Sequence, residues 1–216
     1  MTQRATGGER PLNWPDDPET VTAADIDFEA LAHVLANTCR RGGCMRGYHS
    51  VAAHAVVVSE EIEALDGLGD EDRRRLALHA LIADAPSAWL RGWLPDSQRA
   101  ADRAGKLATG IETAVRQAAG LDAVLDEEQA ELLRFVARMA AATERRDLLA
   151  GTAPAGVAFP PLKRRIRSIM PDKAAEGWLA RFRALAGPEG ERRKRADAVA
   201  GRPDPGMGPG QADGQG

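Results

Sequence analysis

His54 and Asp84 are residues whose types could do chemistry. An imidazole and a carboxylate on neighbouring helices can close on one divalent cation, and such mixed donors suit Mn, Fe, Co or Zn. His54 sits in "VAAHAVVV" on an apolar helical face, and Asp84 follows Ala80 by one turn, so both are expected to face the core. A buried carboxylate needs a partner. A direct hydrogen bond or ion pair between His54 and Asp84 would satisfy both without metal, and is the simplest expectation.

Two other constellations compete. His79 lies one turn before Ala83 on the same side of its helix, but one turn displaces it by about 5 to 6 Å, far from a ligand bond of about 2 Å. Cys39, Cys44, His49 and His54 recur at every fifth position. Structural zinc sites combine thiolates and imidazoles, though with shorter cysteine spacing. Trp89 and Trp93, in "SAWLRGW", are expected as core or pocket-wall residues, with Trp89 or Trp93 as the candidate aromatic platform for a nucleobase. Ser87 has no adjacent base in sequence and is a poor nucleophile.

The elements that must position these residues read as helices. Apolar residues are 44% of the 216-residue chain and aromatic ones 4%. Alanine and leucine dominate, and they lose least on entering a helix. Phe28, Leu31, Ala32 and Leu35 repeat at helical spacing from Asp25 up to Gly42-Gly43. Ser50 can cap a helix carrying Val51, His54, Val58 and Ile62. Asp70 can cap another, running through Leu76 and Asp84 to about Leu90. Further helices are expected to about Ala119, from Asp126 to Ala150, over Leu162–Ile169 as a short basic piece, and over Asp172–Ala186.

This organisation predicts an extended leader over 1–24, a helical domain over 25–187 and a disordered Gly/Pro/Arg-rich tail over 188–216. The net charge of -3 argues against general nucleic-acid binding, which needs a basic surface. The run Arg192-Arg193-Lys194-Arg195 reads as a solvated charge cluster. Two cysteines imply no disulfide framework. No stretch approaches the roughly 20 apolar residues of a membrane span, so a cytoplasmic, non-membrane protein is expected.

Several segments in order resemble a known family. "DIDFEALAHVLANTCRRGG", "YHSVAAHAVVVSEEI", "LALHALIADAPSAWLRGW", "TERRDLL" and "MPDKAAEGWLARFRAL" are similar to the bacterial and phage HD-domain phosphohydrolases related to 5'-deoxynucleotidases. The resemblance spans about residues 10–187. It implies an all-α, HD-domain-like helical bundle and, by ancestry, metal-dependent hydrolysis of a nucleotide phosphomonoester. It also implies ligands at an isolated His, a His-Asp pair and a distant Asp, where the ion would polarise phosphate and activate water.

Against that pattern the isolated His is His54, and the His-Asp pair has become Ala83-Asp84. The distant Asp falls on Ala137, the acidic residue after the pair on Ser87, and the loop's second Asp on Gly92. Arg40 resembles the phosphate-contacting arginine. The metal candidates are therefore His54 and Asp84, the substrate-binding candidates Arg40 and Trp89, and no catalytic residue is assigned. Losing two ligands of a coordinated set leaves little affinity. The expectation is a catalytically impaired protein, kept as a module binding a nucleotide, another phosphorylated small molecule or a protein. A divalent Mn, Co, Fe or Zn would be weakly bound or absent. The alternative is an active metal-dependent hydrolase with a rearranged site using His54, Asp84 and Glu144 or Asp147.

Overall fold

The computed structural model describes residues 20–90, 98–121, 124–149 and 159–200. The architecture is all-α. After a short 3-10 turn at Ala23–Asp25 come α1 (Phe28–Asn37), a second 3-10 turn at Arg40–Gly43, α2 (Val51–Glu63) and α3 (Asp70–Ile82). Then follow α4 (Pro86–Leu90), α5 (Gln98–Ala118), α6 (Glu127–Leu148) and α7 (Pro171–Ala200). Among the described residues the extended backbone pairs only at isolated bridges, Cys39 with Ser50 and Met45 with Leu149.

Capping explains where the helices start. The Asp27 carboxylate accepts from the Glu29 and Ala30 amides, Ser50 Oγ from Ala53 and Asp126 from Gln129. Each supplies an acceptor for amides that have no partner within the helix. The helices then pack apolar faces around one core, α2 lying against α1, α3, α6 and α7. At its centre Trp178 is fully buried. It lies parallel to Phe182 at 5.6 Å, and Phe182 stacks on Phe28 at 3.9 Å. The indole N–H, which burial would otherwise leave unpaired, donates to Leu81 O at 3.2 Å.

Several boundaries differ from the sequence reading. The first helix begins at Phe28 rather than Asp25, because Thr22 and Asp25 close their own capping box. The helix expected to run from Asp70 to Leu90 breaks after Ile82, since Pro86 has no N–H to continue it and opens α4 instead.

The basic segment Leu162–Ile169 is not a helix. Its amides are satisfied from outside: Leu162 N–H donates to Thr143 Oγ1 at 2.7 Å, Ile166 N–H to Asp147 at 2.8 Å and Ile169 N–H to Tyr48 O at 3.3 Å. Donors taken up this way cannot build the i to i−4 ladder. Of the stretch 188–216 expected to be disordered, 188–200 has helical backbone beyond a break at Gly187 (φ 63°). The run "ERRKRADAVA" is rich in good helix formers. The rest of the tail, the leader up to 19, and Gly92 and Trp93 lie outside the described residues. No helix among those described is long and apolar enough to cross a membrane.

Candidate functional site

The polar centre of the molecule is Glu144. On α6 every fourth residue faces inward, so Val136, Ala140, Glu144 and Leu148 form one buried stripe. Glu144 is fully buried. An ionised carboxylate in such a place must be compensated, and the compensation comes from α2 and the loop before it.

That loop is held by two rungs: Arg40 N–H donates to His49 O and Val51 N–H to Thr38 O, both at 2.9 Å. The rungs set Arg40 beside His49 and launch α2. A further bond, Arg46 N–H to Leu148 O, ties the loop to the end of α6. Between these anchors the chain turns through Arg41 (φ 50°), Gly42 and Gly43, all at positive φ. Arg41 is the one non-glycine residue among those described in this region, which L side chains resist.

Three side chains meet the carboxylate closely. His54 Nδ1 lies 2.5 Å from Glu144 Oε1, and Arg40 Nε donates to Oε2 at 3.2 Å while standing 3.0 Å from Oε1. Arg41 Nε stands 3.6 Å from Oε2. His49 Nε2 is 3.3 Å from Oε1 but lacks hydrogen-bond direction, and neither of its ring nitrogens has a hydrogen-bond partner. Burial alone would raise the Glu144 pKa. The pull of His49 and His54 and the charge of Arg40 outweigh it and hold the carboxyl well below the usual range.

Arg40 also faces Asp84, Nη1 to Oδ2 at 3.9 Å, and the Asp84 side chain is 42% exposed. The expected direct pairing of His54 with Asp84 is therefore replaced. His54 takes Glu144, and Asp84, just past the end of α3, faces the guanidinium. Ala83 is exposed, so the position that the resemblance gives to a second histidine lies at the surface.

The other candidates spread out. Trp89 is half-buried and packs on the core. The Ser87 hydroxyl donates to Asp84 O at 2.7 Å. Asp147 is tied to Arg146 and to Ile166 N–H, away from Glu144. Cys39 and Cys44 form no disulfide. Among the described residues no three His, Cys, Asp or Glu side chains converge as a cation site.

The donors present do not fit a preformed divalent site. Two ligands each about 2.1 Å from one ion stand roughly 3 Å or more apart, whereas Glu144 Oε1 and His54 Nδ1 are in direct contact at 2.5 Å. One feature does match metalloprotein practice. A carboxylate on Nδ1 fixes the tautomer that leaves Nε2 with a lone pair, as in carboxylate–histidine–metal arrangements.

Glu144 as the hub is what the sequence reading missed, although it was named as a displaced ligand. The signal was there: an acidic residue in the middle of the four-spaced apolar stripe of α6 announces a buried charge.

No family model matches the chain. Uncharacterized protein YfdR of Escherichia coli (strain K12) is similar to it, 28% identical over 137 residues. The match covers 60% of this chain and 65% of that protein, a little under two thirds of the relative's length.

Proposed function

We propose that the chain is a catalytically impaired relative of the HD-type phosphohydrolases. In this reading it keeps the helical scaffold and binds the phosphate of a nucleotide, or of another phosphorylated small molecule, at Arg40 and Arg41 without a metal. The observation that carries the reading is the Glu144 cluster. The imidazole and carboxylate donors around it are spent on each other and on arginine: His54 on Glu144, Asp84 on Arg40.

What remains for a ligand is cationic. Arg40 and Arg41 keep partly exposed side chains, 19% and 32%, around a carboxylate that is itself sealed off. Guanidinium forks suit a phosphate dianion. Trp89, on α4 shortly after Asp84, is the residue that would face a base.

Metal analysis of the purified protein, paired with calorimetric titration of deoxyadenosine monophosphate, tests the proposal. Substoichiometric metal is expected, with binding unchanged by EDTA and weakened about tenfold or more in Arg41→Ala, the order for one charge-assisted contact.

The second reading, an active hydrolase with a rearranged site, is favoured by one observation, the carboxylate on His54 Nδ1. Stoichiometric Mn, Co, Fe or Zn together with chelator-sensitive release of phosphate would establish it in place of the first.

A further inference from the structure

His49 touches the Glu144 cluster with one side of its ring and also lines a cavity of about 230 Å³ that the cluster does not use. The cavity lies between α2, the segment 164–169 and the start of α7. Its walls are apolar where Ala53, Val57, Ile166 and Ala174 meet. Its rim is cationic, with Arg164, Arg165, Arg167 and Lys173 against a single carboxylate, Glu60.

Two of those cations are spoken for. Arg164 pairs with Glu60 at 2.7 Å and Glu61 at 2.9 Å, and Lys173 with Glu176 at 2.6 Å. Arg165 and Arg167 are exposed and form no ion pair within 4.0 Å among the described residues. His49 is 1% exposed, with no hydrogen-bond partner for either ring nitrogen. A buried polar ring without a partner costs free energy unless a ligand or water completes it.

Gly177 leaves the space open. A Cβ built there meets nothing within 4 Å, so neither packing nor backbone demands glycine at a helical position. Glycine inside a helix costs about 1 kcal/mol against alanine.

We propose that this cavity binds a small amphipathic anion: a phosphate or carboxylate head on a short apolar body. The head sits between Arg165 and Arg167, and the body lies on the Ala53, Val57, Ile166 and Ala174 walls with the His49 ring beside it. At about 30 Å³ per water-sized group the volume holds a ring or short chain, not a nucleoside monophosphate. This is therefore a site separate from the one proposed at Arg40 and Arg41, and it stands or falls independently of that reading.

Calorimetric titration of the full chain with phenyl phosphate, benzoate, inorganic phosphate and benzyl alcohol tests it, together with nitrogen-15 NMR of the His49 ring. Saturable binding of phenyl phosphate or benzoate is expected, and the tighter of the two identifies the head group. Inorganic phosphate and benzyl alcohol, each lacking half of the ligand, should bind at least about tenfold more weakly. The His49 ring resonances should shift on binding.

Arg165→Glu combined with Arg167→Glu, and separately Gly177→Phe, should each weaken binding at least about tenfold. All three positions are exposed, so folding survives these changes. Arg134→Glu, a surface guanidinium on α6, is the control and should change nothing. Three results would each overturn the proposal: no saturable binding of either amphipathic anion, inorganic phosphate binding as tightly as phenyl phosphate, or binding indifferent to the cavity variants. Failure of deoxyadenosine monophosphate to bind, with phenyl phosphate still bound in a Gly177-sensitive way, would count against the arginine site alone.

Discussion

Glu144 and His79 are both buried ionisable side chains, and the molecule treats them oppositely. Glu144 on α6 has His54 at 2.5 Å, Arg40 at 3.0 Å and Arg41 at 3.6 Å. His79 on α3 is 7% exposed, and its Nε2 has no hydrogen-bond partner. Burial penalises the charged form of both. At Glu144 the surrounding donors overcome the penalty and the carboxylate stays ionised. At His79 burial is joined by the charges of Arg75 and Arg116, and the pKa falls to about 4. Depth in the core does not decide whether a group keeps its charge; the partners delivered to it do.

The sharpest way to break that contrast is Glu144→Gln, which keeps the shape and removes the charge. Arg40 and His54 would then face a neutral amide in a dry place. Loss of one member of a buried ionic cluster costs about 3 to 5 kcal/mol, and urea unfolding should show a loss of that size. A loss below about 1 kcal/mol would mean that water already screens the cluster.

His79 should set the acid limb of stability. Its folded pKa lies below its unfolded value of 6.5, so the unfolded chain binds more protons in between. Stability is therefore full above about pH 6.5 and is lost as pH falls towards about 4, by up to roughly 3 kcal/mol from this group. His79→Leu should flatten the unfolding profile in that window and leave neutral stability nearly unchanged. An unaltered acid limb would place the sensitivity elsewhere.

A middle case joins the two regions. Thr143, fully buried beside Glu144 on α6, accepts Leu162 N–H at 2.7 Å and donates to Met139 O at 2.8 Å. Thr143→Val keeps the shape and strands the Leu162 amide, at about 1 to 3 kcal/mol. Proteolysis should reach the 162–169 segment sooner in this variant. Equal protection would mean that Asp147, through Ile166, holds the segment alone.

The helices were legible where the sequence carries local causes. Ser50 caps α2 where expected and α6 starts next to Asp126, whereas Gly69 and not the expected Asp70 stands at the N-cap of α3; the apolar spacing of α1 and α2 gave their buried faces. The segment Leu162–Ile169 was misread because its amides are taken by Thr143, Asp147 and Tyr48, residues far away in sequence. The site was legible in part. The burial of His54 followed from the apolar pattern, whereas its partner did not. Asp84 and Glu144 offer the same chemistry, and only the packing of α6 against α2 selects between them.

Asp84→Asn is the mildest change and separates the two functional readings by sign. Its side chain is 42% exposed and stands 3.9 Å from Arg40. A pair of that geometry is worth about 0 to 1 kcal/mol, so thermal unfolding should scarcely move. Ligand binding should respond more. If Arg40 and Arg41 hold a phosphate, Asp84 repels it, and removing the negative charge should tighten deoxyadenosine monophosphate binding, roughly two- to fivefold at low salt and less as salt screens the site. If Asp84 is instead a metal ligand, the same change deletes a donor, so metal affinity and any hydrolysis should fall by about tenfold or more. Tighter binding without metal supports the arginine site, and loss of metal together with activity supports the hydrolase. An unchanged titration under low salt would remove Asp84 from both.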